Sequence, residues 1–299
     1  MGGQSRERRF VVSGHPTSLP AIVEKLAPGD ANALREGRVF VDGKRVDQRA
    51  DRVNPGSRVT WYAPRLCVAQ ACDVEFSILD RRDDFLVAAK PALWSSEPDR
   101  TGRTTSLREQ AARLLGVREL HVATRLDAGV SGLVLLALSK SACRHAVKLL
   151  TLRQMKKEYL AVVIGKVEKD ERWDSPVDGS RSALTLIHPL AESGLAQFAS
   201  HVQAPASLLR ITPITGRRHQ IRIHAAGCGR PLLGDRRYGG AMHFVRSDGT
   251  VQPLHRPMLH AWRLNIPWEG QYWTTVCPVP SDMREMWAVL GGRNCWPET

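Results

Sequence analysis

The stretch HVATRLDAGVSGLVLLA, residues 121–137, decides how the chain is read. Its second half runs into GLVLLAL at 132–138, an unbroken apolar segment of strand length. Such a run, without polar alternation, predicts a strand covered on both faces. Its first half, TRLDAGVSG, is turn-prone, with glycines at 129 and 132 and with Arg125 two residues before Asp127. An Asp entering a buried strand can be held rigidly at the lip of a cleft. It can equally be a turn residue whose carboxylate caps nearby backbone. The local sequence leaves both readings open.

Working outward, FLVAAK (85–90) predicts a second buried strand, stopped by Pro91. TTSLREQAARLLG predicts an amphipathic helix with Leu107, Ala111, Leu114 and Leu115 inward. SKSACRHAVKLLTLRQ predicts another, with Ala142, Ala146, Leu149 and Leu150 inward and Lys140, Arg144 and Lys148 along a separate face. That basic stripe suits phosphates or simply solvent. KKEYLAVVIG, ALTLIHPL, SLLRITPI, MLHAWRLNIP and YWTTVCPVP read as further strands. The expected class is α+β: a mixed, largely antiparallel sheet with flanking helices and a central cleft.

The segment ITPITGRRHQIRIHAAGCGRPLLGDRRYGG (211–240) crowds Arg217, Arg218, His219, Gln220, Arg222 and His224 together. It reads either as a helix capped by Thr215 and ended by Gly227, or as a strand in which Ile221, Ile223 and Ala225 alternate. In both readings Arg218 and Arg222 share a face. Guanidinium groups at this density suit phosphate or carboxylate recognition better than metal binding. Tyr159, two residues from Lys157 on one strand face, could stack on a base, lend its phenol, or be plain core.

Residues 1–9 form a polar, basic tail, and 10–65 a small α+β unit. LPAIVEKLA and ANALREG predict two helices, and VDGK at 41–44 a tight hairpin. This order is similar to the S4 RNA-binding fold, in which Arg35, Arg38, Lys44 and Arg45 would face RNA phosphates. The basic cluster that usually opens its first helix is replaced by HPTSLP. Residues 66–74 form a linker, and 75–299 the larger domain.

Lys and Arg number 43 against 30 Asp and Glu, a net charge of +13 that points to a polyanionic partner. The six cysteines form no C-x-x-C pair and fit a reducing cytosol. The opening MGGQSRERRF has no apolar signal core, and no run approaches the ~18 apolar residues of a membrane span. There is no glycine-rich dinucleotide or nucleotide loop. A cytoplasmic protein without metal or cofactor is the expectation.

RRDDFLVAAKPALW, TRLDAGVSGLVLLA, KKEYLAVVIG, LLRITPITGRRHQIRIHAAGCGRPLLGDRRYG and MLHAWRL resemble, in order and spacing, the RluA-type RNA pseudouridine synthases. The resemblance covers roughly residues 75–280 and rests on R-L-D-x-x-x-S-G and T-G-R-x-H-Q-I-R. It implies isomerisation of uridine in rRNA, large-subunit rRNA above all, or in tRNA, with RNA as partner and no metal or cofactor. It implies Asp127 as the essential carboxylate, Arg222 as its basic partner and Tyr159 as the tyrosine on the target base. Arg125 would fill the space left by a flipped base, and Lys157, Arg217, His219 and Gln220 would contact RNA or brace the site. Thr124, Val130, Arg218 and Trp94 depart from the usual family letters. The rival expectation is a catalytically silent RNA-binding or ribosome-assembly factor on the same fold.

Overall fold

The computed structural model describes residues 7–30, 33–34, 39–46, 52–62, 76–98, 105–177, 179–198, 202–246 and 249–297. The chain divides into two compact units, Met1–Val68 with Pro98–Thr105, and Ala69–Glu97 with Ser106–Thr299.

In the smaller unit a four-stranded antiparallel sheet takes the order Glu7–Val11, Arg58–Tyr62, Val39–Val41, Lys44–Arg45. Helix Leu19–Leu26 buries Leu19, Ile22, Val23 and Leu26, one stripe at helical spacing, and Pro20 sits in its first turn, where a missing N–H costs nothing. Asp42 and Gly43 both have positive φ, 50° and 78°, as the two-residue hairpin requires. The first strand starts at Glu7, inside the stretch read as a tail. Arg8 explains this: it donates to the Leu26 carbonyl at 2.9 Å and lies over the Trp61 ring, so a basic residue packs through its stem and plane. Residues 33–34 form a turn. The rest of the expected second helix, with Arg35, lies outside the described residues, as do Arg38 and the side chains of Lys44 and Arg45.

The larger unit is built on a ten-stranded sheet. Along its main path the order is Glu171–Trp173, Thr185–Glu192, Ala206–Pro213, Lys156–Ile164, Leu259–Trp268, Ser131–Ala137, Phe85–Lys90, Ser77–Arg82. Gln271–Val276 and His121–Val122 pair at its sides. Every described pairing in this sheet is antiparallel except Ser131–Ala137 with Leu259–Trp268, which joins two antiparallel halves. The strand Ser131–Ala137 is buried along its whole length. Leu133, Leu135 and Ala137 pack in one cluster with Val87 and Ala89, while Val134 and Leu136 pack on the other face with Leu107 and Ala111. Two covered faces account for the absence of polar alternation.

Helices Leu107–Leu115, Lys140–Thr151 and Ser281–Val289 flank the sheet. The first two start at Ser106 and Ser139, whose hydroxyls accept from the N–H groups of Glu109 and Ala142. Two local expectations are corrected. Leu114 is 64% exposed, so the inward stripe of its helix rests on Leu107 and Ala111. The fourth helix runs Gln220–Gly227, so it begins at Gln220 and not after Gly216. Thr215 cannot cap it, because its hydroxyl accepts the Leu184 N–H and donates to Gln220 Oε1. His219 takes the cap position with φ 56°, which leaves Arg218 exposed before the helix and on no shared face with Arg222.

Candidate active site

A cleft opens beside the parallel join of the sheet. Its lining includes Arg125, Asp127, Lys157, Tyr159, Arg217, His219, Gln220 and Arg222. Three separate stretches of sequence supply them: the loop before the Ser131 strand, the strand Lys156–Ile164, and the segment around the Gln220 helix.

The loop carrying Asp127 is pinned at several points. Asp127 CO accepts the Val130 N–H at 3.0 Å and closes a turn. The Ser96 hydroxyl accepts from the Leu126 N–H and donates to the Leu126 carbonyl, both at 3.0 Å. The buried ammonium of Lys90 donates to the carbonyls of Pro91, Trp94 and Ala128. Lys90 is therefore a structural cation that ties this loop to the neighbouring turn. Thr124 accepts the buried Leu135 N–H on Oγ1 at 2.8 Å, so its hydroxyl holds the strand entry.

Asp127 meets a cation on one side and an imidazole on the other. Arg222 Nη1 donates to Asp127 Oδ2 at 2.9 Å, and His219 Nε2 lies 3.4 Å from Asp127 Oδ1. Arg222 is itself clamped from behind: Nε and Nη2 donate to the two oxygens of Asp235 at 2.7 and 2.8 Å. This fork uses the planar geometry that a lysine lacks. Burial opposes the Arg222 charge, yet the bonds to Asp235 and Asp127 outweigh it and hold the group above its ordinary value. Tyr238 completes the cluster, its hydroxyl 2.8 Å from His219 Nδ1 and its ring 5.0 Å from the Arg222 guanidinium carbon.

Tyr159 is buried yet lines the cleft. Burial, with the Asp127 charge adding to it, pushes its phenol well up, so the hydroxyl stays protonated. A bulge opposite it, where the pairing jumps from Glu158–Arg263 to Tyr159–Ala261, interrupts the ladder at the site. Lys157 lines the same cleft, with its ammonium pushed down by burial and no carboxylate partner among the described residues. Arg125 is exposed and lines the cleft. Arg217 is exposed and donates through Nε to the Ser182 carbonyl.

Gln220, expected either to contact RNA or to brace the site, is turned inward. It is 4% exposed, and its amide uses all its positions internally: Oε1 accepts from Thr215 and Arg217, and Nε2 donates to the Leu184 carbonyl and Thr185 Oγ1. It braces the segment that carries His219. Asp235 and Tyr238 were not singled out from sequence, although both stand in GDRRYGG. Their signal was backbone need: at Gly234, with φ 74°, and at Gly240, an added Cβ would lie 1.9 Å from a carbonyl oxygen. That tight loop is what turns Asp235 back toward Arg222. No cluster of His, Cys, Asp or Glu able to hold a metal occurs among the described residues. No described helix is long and apolar enough to cross a membrane.

The family model for RNA pseudouridylate synthase matches residues 84–227, the span that holds Asp127, Tyr159 and Arg222. Over that span the chain is similar to the RluA-type RNA pseudouridine synthases. Ribosomal large subunit pseudouridine synthase D of Vibrio vulnificus is 29% identical over 292 residues, 90% of this chain and 89% of that protein. The protein of the same name from Nitrosomonas europaea is 30% identical over 231 residues, 72% of this chain and 65% of that one. The solved structure of human RNA pseudouridylate synthase domain containing 1 superposes with a TM-score of 0.54 at 26% identity, covering 69% of this chain and 84% of that chain. The solved structure of human RNA pseudouridylate synthase domain containing 4 shares the fold, with a TM-score of 0.55 at 20% identity over 73% of this chain and 94% of that chain.

Proposed function

We propose that this pseudouridine synthase isomerises uridine in large-subunit ribosomal RNA, with Asp127 as the catalytic carboxylate. The observation that carries the reading is the Asp127–Arg222–Asp235 chain, a carboxylate presented to a cleft by a guanidinium that is anchored from behind. The names of the relatives support ribosomal RNA as substrate over transfer RNA.

In this reaction the N1–C1′ bond breaks, the uracil turns over, and C5 bonds to C1′. The proton lost from C5 is balanced by one gained at N1, so no redox partner is required. Asp127 can attack C1′ directly, or stabilise and deprotonate a glycal-like species at the sugar. Arg222 holds the carboxylate in place for either route. The Tyr159 ring is the platform on which the base stacks. Its raised phenol pKa disfavours a standing phenolate, so Tyr159 serves as a base at C5 only if its proton leaves during the reaction. A uridine in a stem must leave the stack to reach the cleft, at roughly a few kcal/mol. Arg125, exposed beside the cleft, occupies the vacated position in this reading. Lys157, Arg217 and the basic stripe Lys140, Arg144 and Lys148 offer phosphate contacts.

The test is carbodiimide–primer-extension mapping of ribosomal and transfer RNA in a strain lacking the gene, complemented with wild type or Asp127→Asn. Wild type restores a missing pseudouridine in large-subunit rRNA, and Asp127→Asn does not. Restoration only in transfer RNA overturns the substrate, restoration by both forms overturns the site, and restoration by neither overturns the enzymatic reading.

A further inference from the structure

We infer that His219 is a positioning residue that supplies Asp127 with a second, uncharged donor, and that the Tyr238 hydroxyl holds its ring in the tautomer this requires. The inference rests on the proposal that Asp127 does the chemistry.

Arg222 serves only Oδ2 of Asp127. Oδ1 faces His219 Nε2 at 3.4 Å, with the imidazole side chain 10% exposed. A neutral ring with a lone pair on Nε2 would point it at an anionic oxygen. Placing the proton on Nε2 removes that repulsion and leaves Nδ1 as an acceptor. Tyr238 lies 2.8 Å from Nδ1 and can supply the matching O–H. Its ring stands edge-on to the imidazole, at 81°, and under the Arg222 and Arg237 guanidinium groups at 5.0 and 5.6 Å, which holds the phenol oxygen at Nδ1. The backbone is specialised as well: His219 is a non-glycine residue with φ 56° at the helix cap, stabilised by the bonds of Gln220 to the preceding segment.

The groups facing His219 explain why it is not simply a second cation. Burial pushes the imidazole down, and Arg222, Arg237 and Arg218 add to that, against the upward pull of Asp127. A neutral donor orients Oδ1 without adding another positive charge beside a carboxylate that must attack or accept a proton. The separation of 3.4 Å is longer than a formed hydrogen bond, and contacts of this kind commonly tighten when substrate closes the site.

Two measurements test this. The first needs no turnover: nitrogen NMR of the full chain carrying isotope-labelled histidine, near neutral pH, with the His219 signal identified by its loss in His219→Gln. The expected form is neutral with the proton on Nε2, and Tyr238→Phe gives a mixture of tautomers. A proton on Nδ1, or an imidazolium, overturns the inference.

The second is steady-state kinetics on an RNA that carries the mapped uridine. His219→Leu lowers kcat about tenfold while KM stays within about twofold, and His219→Gln, whose amide nitrogen reaches the same place, recovers most of the loss. Tyr238→Phe lowers kcat in the wild-type background and adds nothing to His219→Leu. A change in KM alone, no recovery with Gln, or full additivity of the two variants contradicts the role. A wild-type protein that makes no pseudouridine defeats the functional reading instead, and the tautomer measurement then still decides the side-chain arrangement.

Discussion

Arg222 stands between two carboxylates that play different parts. Asp235, at 1% side-chain exposure, has no access to a substrate, while Asp127, at 26%, borders the cleft. One guanidinium therefore carries rigidity from the protein interior to the carboxylate in the cleft. Asp127 and Arg222 were legible in the sequence because each sits in a short specific motif, and Tyr159 only through the resemblance of its strand to the same family. Asp235 was not, since its partner lies across a loop and nothing in local spacing reveals the fork. Thr124 shows a letter that departs from the family pattern while serving a clear local purpose. Thr124→Val keeps the volume but leaves the buried Leu135 N–H without its side-chain acceptor at Oγ1. Urea unfolding should show a loss of about 1–3 kcal/mol, whereas an unchanged midpoint would mean the Thr124 hydroxyl carries no weight.

At the scale of elements, the parallel pairing of Ser131–Ala137 with Leu259–Trp268 places the Asp127 loop beside the Tyr159 strand. Gly132 makes the pairing possible: it has φ 114°, and an added Cβ would lie 2.2 Å from the Ala261 carbonyl oxygen. Gly132→Ala should lower stability by more than about 3 kcal/mol, from backbone strain plus the clash. Gly227→Ala, which meets nothing within 4 Å, should stay within about 0.5 kcal/mol or gain slightly. Equal stability of the two variants in thermal unfolding would contradict this account of the join.

His260 locks the same pairing, bonding Ser131 Oγ through Nδ1 at 2.9 Å. Burial pushes its imidazole down to about 3, with nearby Arg256 adding to the effect against a bond to the Cys277 carbonyl. The unfolded chain takes up this proton near pH 6.5 and the folded chain does not until about 3, so between those values the unfolded state binds more protons. This contribution is complete above about pH 6.5 and is lost progressively on acidification toward 3, by up to a few kcal/mol. Urea midpoints across that range should fall more steeply for wild type than for His260→Gln, and parallel slopes would refute the assignment.

For the whole molecule, the excess of 43 basic over 30 acidic residues governs association more than folding. RNA affinity should fall steeply between about 50 and about 200 mM salt. Arg144 and Lys148 are exposed on the Lys140–Thr151 helix. Replacing both with Ala should reduce the slope of log affinity against log salt by about 1–2, while an unchanged slope places that helix outside the RNA footprint.

The sequence by itself determined the class of fold, the identity of most strands and the three residues at the heart of the cleft. Apolar runs, caps and short motifs are local, and local patterns survive without knowledge of what packs against them. The tertiary structure decided the rest. It moved the start of the Gln220 helix because the Thr215 hydroxyl was already engaged, and it turned Gln220 inward because every polar atom of its amide found a protein partner. It also brought Asp235 and Tyr238 to the site through a glycine loop. Hydrogen bonds of buried groups are satisfied across distances in the chain that no spacing rule measures, and in this protein they set the geometry around Asp127.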